Sequence, residues 1–261
     1  MHFLKGLNFA GLYVSWLRGN RKRFLLAVIF VALVSPVSAL GAGAECKPPD
    51  NLPPIEVGQP TNIDGLKNQL RYYHCSGAYL RDFERVIDDA IQYVVQRAAK
   101  GGKLALVLDI DETSLSNWEQ VEAADFAFVL DGPCDHPPKA PCGFEAWEGL
   151  SIATALEPTL KLFNTAKAHH VDVFFITSRP KKLQQATETN LHKAGYSDWS
   201  DLMVRPDGDT STVEVYKTAQ RKRILGKGYL IIANVGDQYS DLRGGQAERW
   251  YKLPNPFYFI P

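Results

Sequence analysis

The strongest constraint on this chain is a set of unbroken apolar runs that each stop on acidic or hydroxyl side chains. The first lies in KLALVLDIDETSLSNW (103–118), where Leu104 to Leu108 give way to Asp109 and Asp111. VDVFFITSRP (171–180) ends on Thr177 and Ser178, and YLIIANVGDQYSDL (229–242) ends on Asp237 and Asp241. A strand with one wet face alternates apolar and polar residues, whereas a strand covered on both faces reads as a continuous apolar run. DLMVRP (201–206) is a shorter strand candidate, and RWYKLPNPFYF (249–259) reads as a last strand and tail. Between these runs the apolar spacing is helical. Residues 62–99 carry Leu66, Leu70, Tyr73, Phe83, Val86, Ile87, Ala90, Ile91, Val94 and Val95 at steps of three and four, closed by Lys100-Gly101-Gly102. Residues 156–169, 181–195 and 214–225 read as further helices, and 118–150 as irregular. Strands alternating with helices specify an α/β fold with a mostly parallel sheet flanked by helices.

Parallel strands bring their carboxyl ends to one rim, where sites in open α/β sheets lie. Asp109, Asp111, Thr177, Ser178, Asp237 and Asp241 would meet there. Side chains two apart on a strand share a face, but the chain leaves the strand at Asp109, so both aspartates can turn toward one centre. So many carboxylates repel one another. An oxygen-preferring cation, most simply Mg²⁺, would offset the repulsion, and Lys217 in VEVYKTAQRKR offers a second positive charge. A cation, a lysine and a hydroxyl suit a phosphoryl group, whose transfer needs positioning and charge neutralisation above all. The neighbouring Arg221, Lys222 and Arg223 read as a solvated helix face.

These residues carry a family resemblance. LDIDET resembles the first motif, DxDxT, of the haloacid dehalogenase (HAD) superfamily, FFITSR its second, Lys217 its third and GDQYSDL its fourth, in the same order. FEAWEGL, ALEPTLKLFNTAKAHHVDVFFITSRP and YKTAQRKRIL resemble the secreted acid phosphatases that include bacterial class C enzymes and plant vegetative storage proteins. The resemblance covers most of residues 45–261 and is weakest over 118–150. It implies a Rossmann-like HAD fold with a small cap or insertion and an N-terminal helical segment. It implies an acid phosphatase in which Asp109 is the nucleophile and Asp111 the general acid, then the base. Mg²⁺ would be held by Asp109, the Asp111 carbonyl and Asp237, with Asp241 supporting from behind. Thr177 and Ser178 would hold phosphate oxygens, and Lys217 would orient Asp109 and the phosphate. The implied substrates are small phosphomonoesters, with nucleotides and aryl phosphates as candidates. Some storage-type relatives lack the nucleophile, but this chain has it. Trp118 and Trp147 are either stacking platforms for an aromatic leaving group or packing residues of the cap.

Formal charge is zero, but residues 1–44 hold five basic and no acidic residues, leaving 24 basic against 29 acidic in the remainder, a net of −5. A mildly acidic body does not suggest a nucleic-acid backbone binder. The cluster RGNRKR, the apolar run FLLAVIFVALV (24–34) and the small residues of VSALGAGA follow the order of a secretory signal peptide, cleaved after Ala39 or Ala44. Extended through Leu40, the run instead makes an uncleaved membrane anchor. Glu45 argues against lipid attachment at Cys46. Export to the periplasm or the extracellular space is the expectation, with residues 45–261 as the catalytic domain after a Pro-rich arm at 45–60. Four cysteines behind an export signal favour disulfides. Cys134 with Cys142 is the first choice, leaving Cys46 with Cys75; zinc is the alternative, without CxxC spacing to support it. His136, His169 and His170 are read as surface or loop residues.

Overall fold

The computed structural model describes residues 46–49, 60–134 and 142–260. The apolar run at 24–34, nearly all of the Pro-rich arm and His136 lie outside the described residues.

The chain opens with two helices, α1 (Ile63–Cys75) and α2 (Ala78–Ala98), where the sequence pattern suggests one. The break falls at Gly77, whose φ of +74° lies in the left-handed region that glycine adopts without a Cβ penalty. Asn62 starts α1 by accepting the backbone N–H groups of Asp64 and Gly65. Next come β1 (Leu104–Leu108), β2 (Leu115–Ser116), α3 (Trp118–Ala123), α4 (Phe144–Leu150) and β3 (Thr154–Ala155). The rest is α5 (Glu157–Ala168), β4 (Asp172–Pro180), a 3₁₀ turn, α6 (Gln184–Lys193), β5 (Asp201–Arg205), α7 (Val213–Gly226), β6 (Leu230–Gly236), α8 (Tyr239–Leu242) and β7 (Arg249–Lys252).

Five strands form one sheet in the order β5-β4-β1-β6-β7, every neighbouring pair parallel. The sheet is built outward from β1. The chain winds to one side through β4 and β5, then returns to the other through β6 and β7. The order therefore reverses between β1 and β6, and a crevice opens beyond the carboxyl ends of those two strands. All five residues of β1 are buried, as its apolar run requires. Leu106, Leu108, Val173 and Phe175 pack against Phe83, Ile87, Ala90 and Val94 of α2 and Leu162 and Phe163 of α5. Ala105, Val107, Phe174 and Ile176 face the other way, against Tyr216 and Ile224 of α7. Each fully buried Val, Leu, Ile or Phe among them contributes about 1.5–3 kcal/mol.

The segment 118–150, read as irregular, contains α3 and α4. The short antiparallel ribbon β2–β3 ties its two ends together. Disulfides join Cys134 to Cys142 within it, and Cys46 to Cys75 at the end of α1; no cysteine is free. The last strand stops at Lys252, well short of 259, because Pro254 and Pro256 have no N–H for a ladder. His169 and His170 are exposed, as expected. Among the described residues no helix is long and apolar enough to cross a membrane.

Candidate active site

The chain turns sharply where β1 ends. Asp109 still donates its backbone N–H to Val235 of β6, 3.0 Å away. A tight loop follows, in which Ser114 and Leu115 both donate N–H to the Ile110 carbonyl at 2.8 Å and Ser114 Oγ donates to the Asp109 carbonyl at 2.6 Å. Glu112 takes a φ of +50° within it. This turn sends the two aspartates to different partners. Asp109 pairs with Lys217 Nζ. Asp111 faces Arg179, which donates Nη2 to its Oδ1 at 2.6 Å and Nε to both oxygens at 3.1–3.2 Å. Asn117 Nδ2 adds a fourth bond to this carboxylate, reaching Oδ1 at 2.9 Å.

The end of β6 supplies the facing wall. Asp237, Asp241 and Asp109 place carboxylate oxygens within 4.8 Å of one another, all buried. Gly236 permits this approach, because a Cβ there would lie 2.5 Å from Asp241 Cβ. Asp241 is fully engaged. Its Oδ1 accepts Lys217 Nζ at 2.6 Å and its Oδ2 accepts the Gln238 N–H at 2.8 Å. Asp237 Oδ2 accepts the side-chain amides of Gln238 and Asn255, each at 2.7 Å, while its Oδ1 has only a 3.4 Å contact from Thr113 Oγ1. Among the described residues no hydrogen bond reaches Asp109 Oδ2. The least satisfied oxygens of the cluster thus belong to Asp109 and Asp237.

Burial pushes the Asp109 carboxyl well above the usual carboxylate range; Lys217 opposes this, and the neighbouring aspartates add to it. Burial also works against the charge on Lys217, but Asp109 and Asp241 more than offset it and push the ammonium up. Asp237 is pushed up to about 7 by burial, Asp241 and Glu112. Asp111 goes the other way. Burial would raise it, but Arg179 and Asn117 hold it below the usual range. Glu148 of α4, 3.6 Å from Arg179 Nε, is pushed up to about 8 by burial and by Asp111.

One pocket contains Asp109, Asp111, Ser178, Lys217, Asp237 and Asp241. Thr177 stands apart from its lining: it is fully buried, and its Oγ1 accepts the Arg179 N–H at 3.1 Å. Trp118 and Trp147 do not line the pocket either. Trp118 stacks on His74 with ring centroids 3.6 Å apart, and Trp147 is buried with Nε1 donating to Asn117 Oδ1 at 2.9 Å. Both are packing residues. The aromatic wall is formed by Phe128, Phe144 and Tyr258, with centroids 4.7–5.6 Å apart. Arg221 corrects the expectation of a solvated helix face. It is fully buried and donates to the backbone carbonyls of Asp241, Arg243 and Gly245, bracing the turn after β6, whereas Lys222 and Arg223 are exposed. Sequence reasoning also missed Arg179, Asn117, Glu148 and Asn255. Only Arg179 had a local signal, as the residue directly after two hydroxyls at a strand end.

A profile of the HAD superfamily, subfamily IIIB (Acid phosphatase), matches residues 59–261. The chain belongs to this family. It is 32% identical to Acid phosphatase 1 of Solanum lycopersicum over 194 residues, 73% of each chain. It is 31% identical to Vegetative storage protein 1 of Arabidopsis thaliana over 214 residues, 79% of this chain and 76% of that one. The fold is similar to that of the class C acid phosphatase from Bacillus anthracis, with a TM-score of 0.59 at 21% identity over 74% of this chain and 86% of that one. As a member of this acid phosphatase family the protein is a phosphoric monoester hydrolase, and phosphomonoesters are its class of substrate.

Proposed function

We propose that this acid phosphatase is an exported, Mg²⁺-dependent enzyme that hydrolyses small phosphomonoesters through an aspartyl-phosphate on Asp109. The observation that carries the reading is the division of the two opening aspartates: Asp109 lies with Lys217 inside the carboxylate cluster, and Asp111 is held apart on Arg179. The donors of the cluster are all oxygen, which fits a hard divalent cation. Asp109 Oδ2, Asp237 Oδ1 and the Asp111 carbonyl would hold it, with Asp241 tied to Lys217 and Gln238 behind them. Bound there, the ion supplies positive charge against the phosphate and the carboxylates.

In the first half-reaction an Asp109 oxygen attacks phosphorus, the phosphorus–ester bond breaks, and Asp111 gives its proton to the departing oxygen. In the second, water attacks the aspartyl-phosphate, Asp111 takes the water proton, and Asp109 and inorganic phosphate are released. Lys217 keeps Asp109 oriented, and Ser178 lies at the pocket wall to meet phosphate oxygens. Thr177 shapes that turn through the Arg179 N–H. The Arg179 clamp favours the ionised, proton-accepting form of Asp111, so the donating form gains from acid. Phe128, Phe144 and Tyr258 favour a flat leaving group, an aryl or nucleoside alcohol.

The two disulfides and the signal-like order of residues 1–44 support export to the periplasm or extracellular space, with membrane attachment only if that segment is retained. Residues 45–261 would then be the catalytic domain. A storage role with residual activity is the rival reading, and intact Asp109, Asp111, Lys217 and Asp237 favour the enzyme. Turnover of 4-nitrophenyl phosphate and a panel of nucleotide and sugar phosphates, with and without EDTA, tests this. Turnover unaffected by EDTA removes the metal, and no turnover of any phosphomonoester with Mg²⁺ removes the enzyme.

A further inference from the structure

After β7 the chain does not leave the domain. Residues 253–260 run back across the carboxyl edge of the sheet and bind both catalytic loops. Leu253 donates its N–H to the Gly236 carbonyl at 2.9 Å. Tyr258 gives its hydroxyl to buried Glu112 in the loop after β1. Gln238 accepts the Ile260 N–H at 3.1 Å. At the centre of this strap, Asn255 Nδ2 donates to Asp237 Oδ2 at 2.7 Å.

Asn255 is held on every side. Pro254 and Pro256 flank it, and their rings restrict the backbone on either side. Its Oδ1 accepts the Phe257 N–H at 2.9 Å, closing a local turn. Phe257 is buried, its ring centroid 5.1 Å from those of Tyr79 and Trp118. Little freedom is left for the Asn255 amide to lose when it meets Asp237. Gln238 Nε2 donates to the same oxygen at 2.7 Å. With Oδ2 taken twice, Oδ1, which has a 3.4 Å contact from Thr113 Oγ1, is the freer oxygen of Asp237 for a cation.

We propose that Asn255, pinned by this C-terminal strap, is a positioning residue that sets Asp237 to coordinate the divalent cation through one oxygen. This rests on the metal reading above and goes beyond it, in that the metal site is completed from a segment outside the four motifs. Outer partners of ligating carboxylates typically carry about 10–100-fold in metal affinity.

The test is isothermal titration of Mg²⁺ into the metal-stripped full chain, wild type against Asn255→Ala and Asn255→Ser. The serine keeps a hydroxyl to accept the Phe257 N–H, so the turn survives while the donor to Asp237 is lost. Both variants should bind Mg²⁺ about 10–100-fold more weakly. The Mg²⁺ concentration for half-maximal phosphatase activity should rise in parallel, while kcat at saturating Mg²⁺ stays within a few-fold. A merely structural role would lower the metal-free Tm and kcat without moving the Mg²⁺ Kd. Wild-type affinity in folded Asn255→Ser would overturn the proposal while leaving the metal reading intact. No Mg²⁺ binding to the wild type would overturn the metal reading and the proposal with it.

Discussion

Replacing Lys217 by Met removes the side-chain cation that bridges the Asp109 and Asp241 carboxylates, without opening a large cavity. Lys217 is 3% exposed and reaches both carboxylates, Asp241 at 2.6 Å. Two ionised carboxylates with oxygens within 4.8 Å of each other repel by about 3–4 kcal/mol or more at an effective dielectric constant of about 20. Three such groups cannot all stay ionised, and proton uptake relieves part of the strain. Breaking a buried ion pair from one side costs about 3–5 kcal/mol. For a domain of this size that lowers Tm by about 6–20 °C. Differential scanning calorimetry in EDTA at pH 7 measures it. The sign of the pH effect follows from the carboxyls. Asp109 and Asp237 are already raised, so without Lys217 they take up protons as pH falls and the repulsion disappears. The gap between variant and wild type should therefore shrink by about half or more at pH 4.5. Millimolar Mg²⁺ should raise the variant's Tm more than the wild type's, because the ion restores lost positive charge. A drop under about 2 °C at pH 7, or an equal drop at both pH values, would refute the view that this lysine offsets the carboxylates.

Asp109→Asn should lower turnover by about a thousandfold or more and leave no acid-stable phosphoenzyme, measured by trapping with labelled substrate. Asp111→Asn should lose about 10²–10⁴-fold on alkyl phosphates but much less in phosphoenzyme formation from nitrophenyl phosphate, whose leaving oxygen needs no proton; equal losses on both would remove the general-acid role. Gly236→Ala places a methyl 2.5 Å from Asp241 Cβ, so it should cost about 1–3 kcal/mol in denaturant melts and reduce activity more than stability suggests. His74 is half-buried against Trp118, and burial lowers its pKa to about 4. The unfolded chain binds that proton near pH 6.5, so folding stability falls as pH drops from about 6.5 to 4 and levels off below. His74→Phe keeps the stack and should flatten that limb by about 1–2 kcal/mol, after allowance for solvent screening of a half-buried ring.

Much of the architecture was legible because its signals are local. β1, β4 and β6 announce themselves as apolar runs, and the residues that close each run fall at one edge once the strands are parallel. What stayed hidden needed either length or distance. The helices α3 and α4 have six and seven residues, less than two full turns or barely that, too short to show a period. Arg221 looked solvated because Lys222 and Arg223 beside it are; its burial comes from carbonyls 20–24 residues further on. The break between α1 and α2 left a trace at Gly77, but apolar periodicity on both sides masked it. Asn255 gave no sign, because its partner Asp237 precedes it by 18 residues and the prolines around it read only as a tail.

The two aspartates at the end of β1 show why a motif can be legible while its chemistry is not. On an extended strand, Asp109 and Asp111 would share a face and compete for the same cation. The turn after Asp109 separates them, and each then acquires its own counter-charge from a different strand-to-helix unit: Lys217 from α7, Arg179 from the end of β4. Two carboxyl groups can take opposite roles only when their surroundings differ, and here the opposing charges come from residues 68 and 108 positions away, with Asn117 a local contributor. Lys217 faces a second carboxylate, Asp241, so it binds Asp109 as part of the cluster that would take a metal. Arg179 instead lies beside Glu148 of the insertion and shares Asp111 with Asn117, whose Oδ1 is fixed by Trp147 of the same insertion. The surroundings of Asp109 are therefore set by the sheet and α7. Those of Asp111 are set partly by the segment between β2 and β3, the region where the family resemblance is weakest, so under the proposed roles changes there would alter proton transfer by Asp111 without touching Asp109.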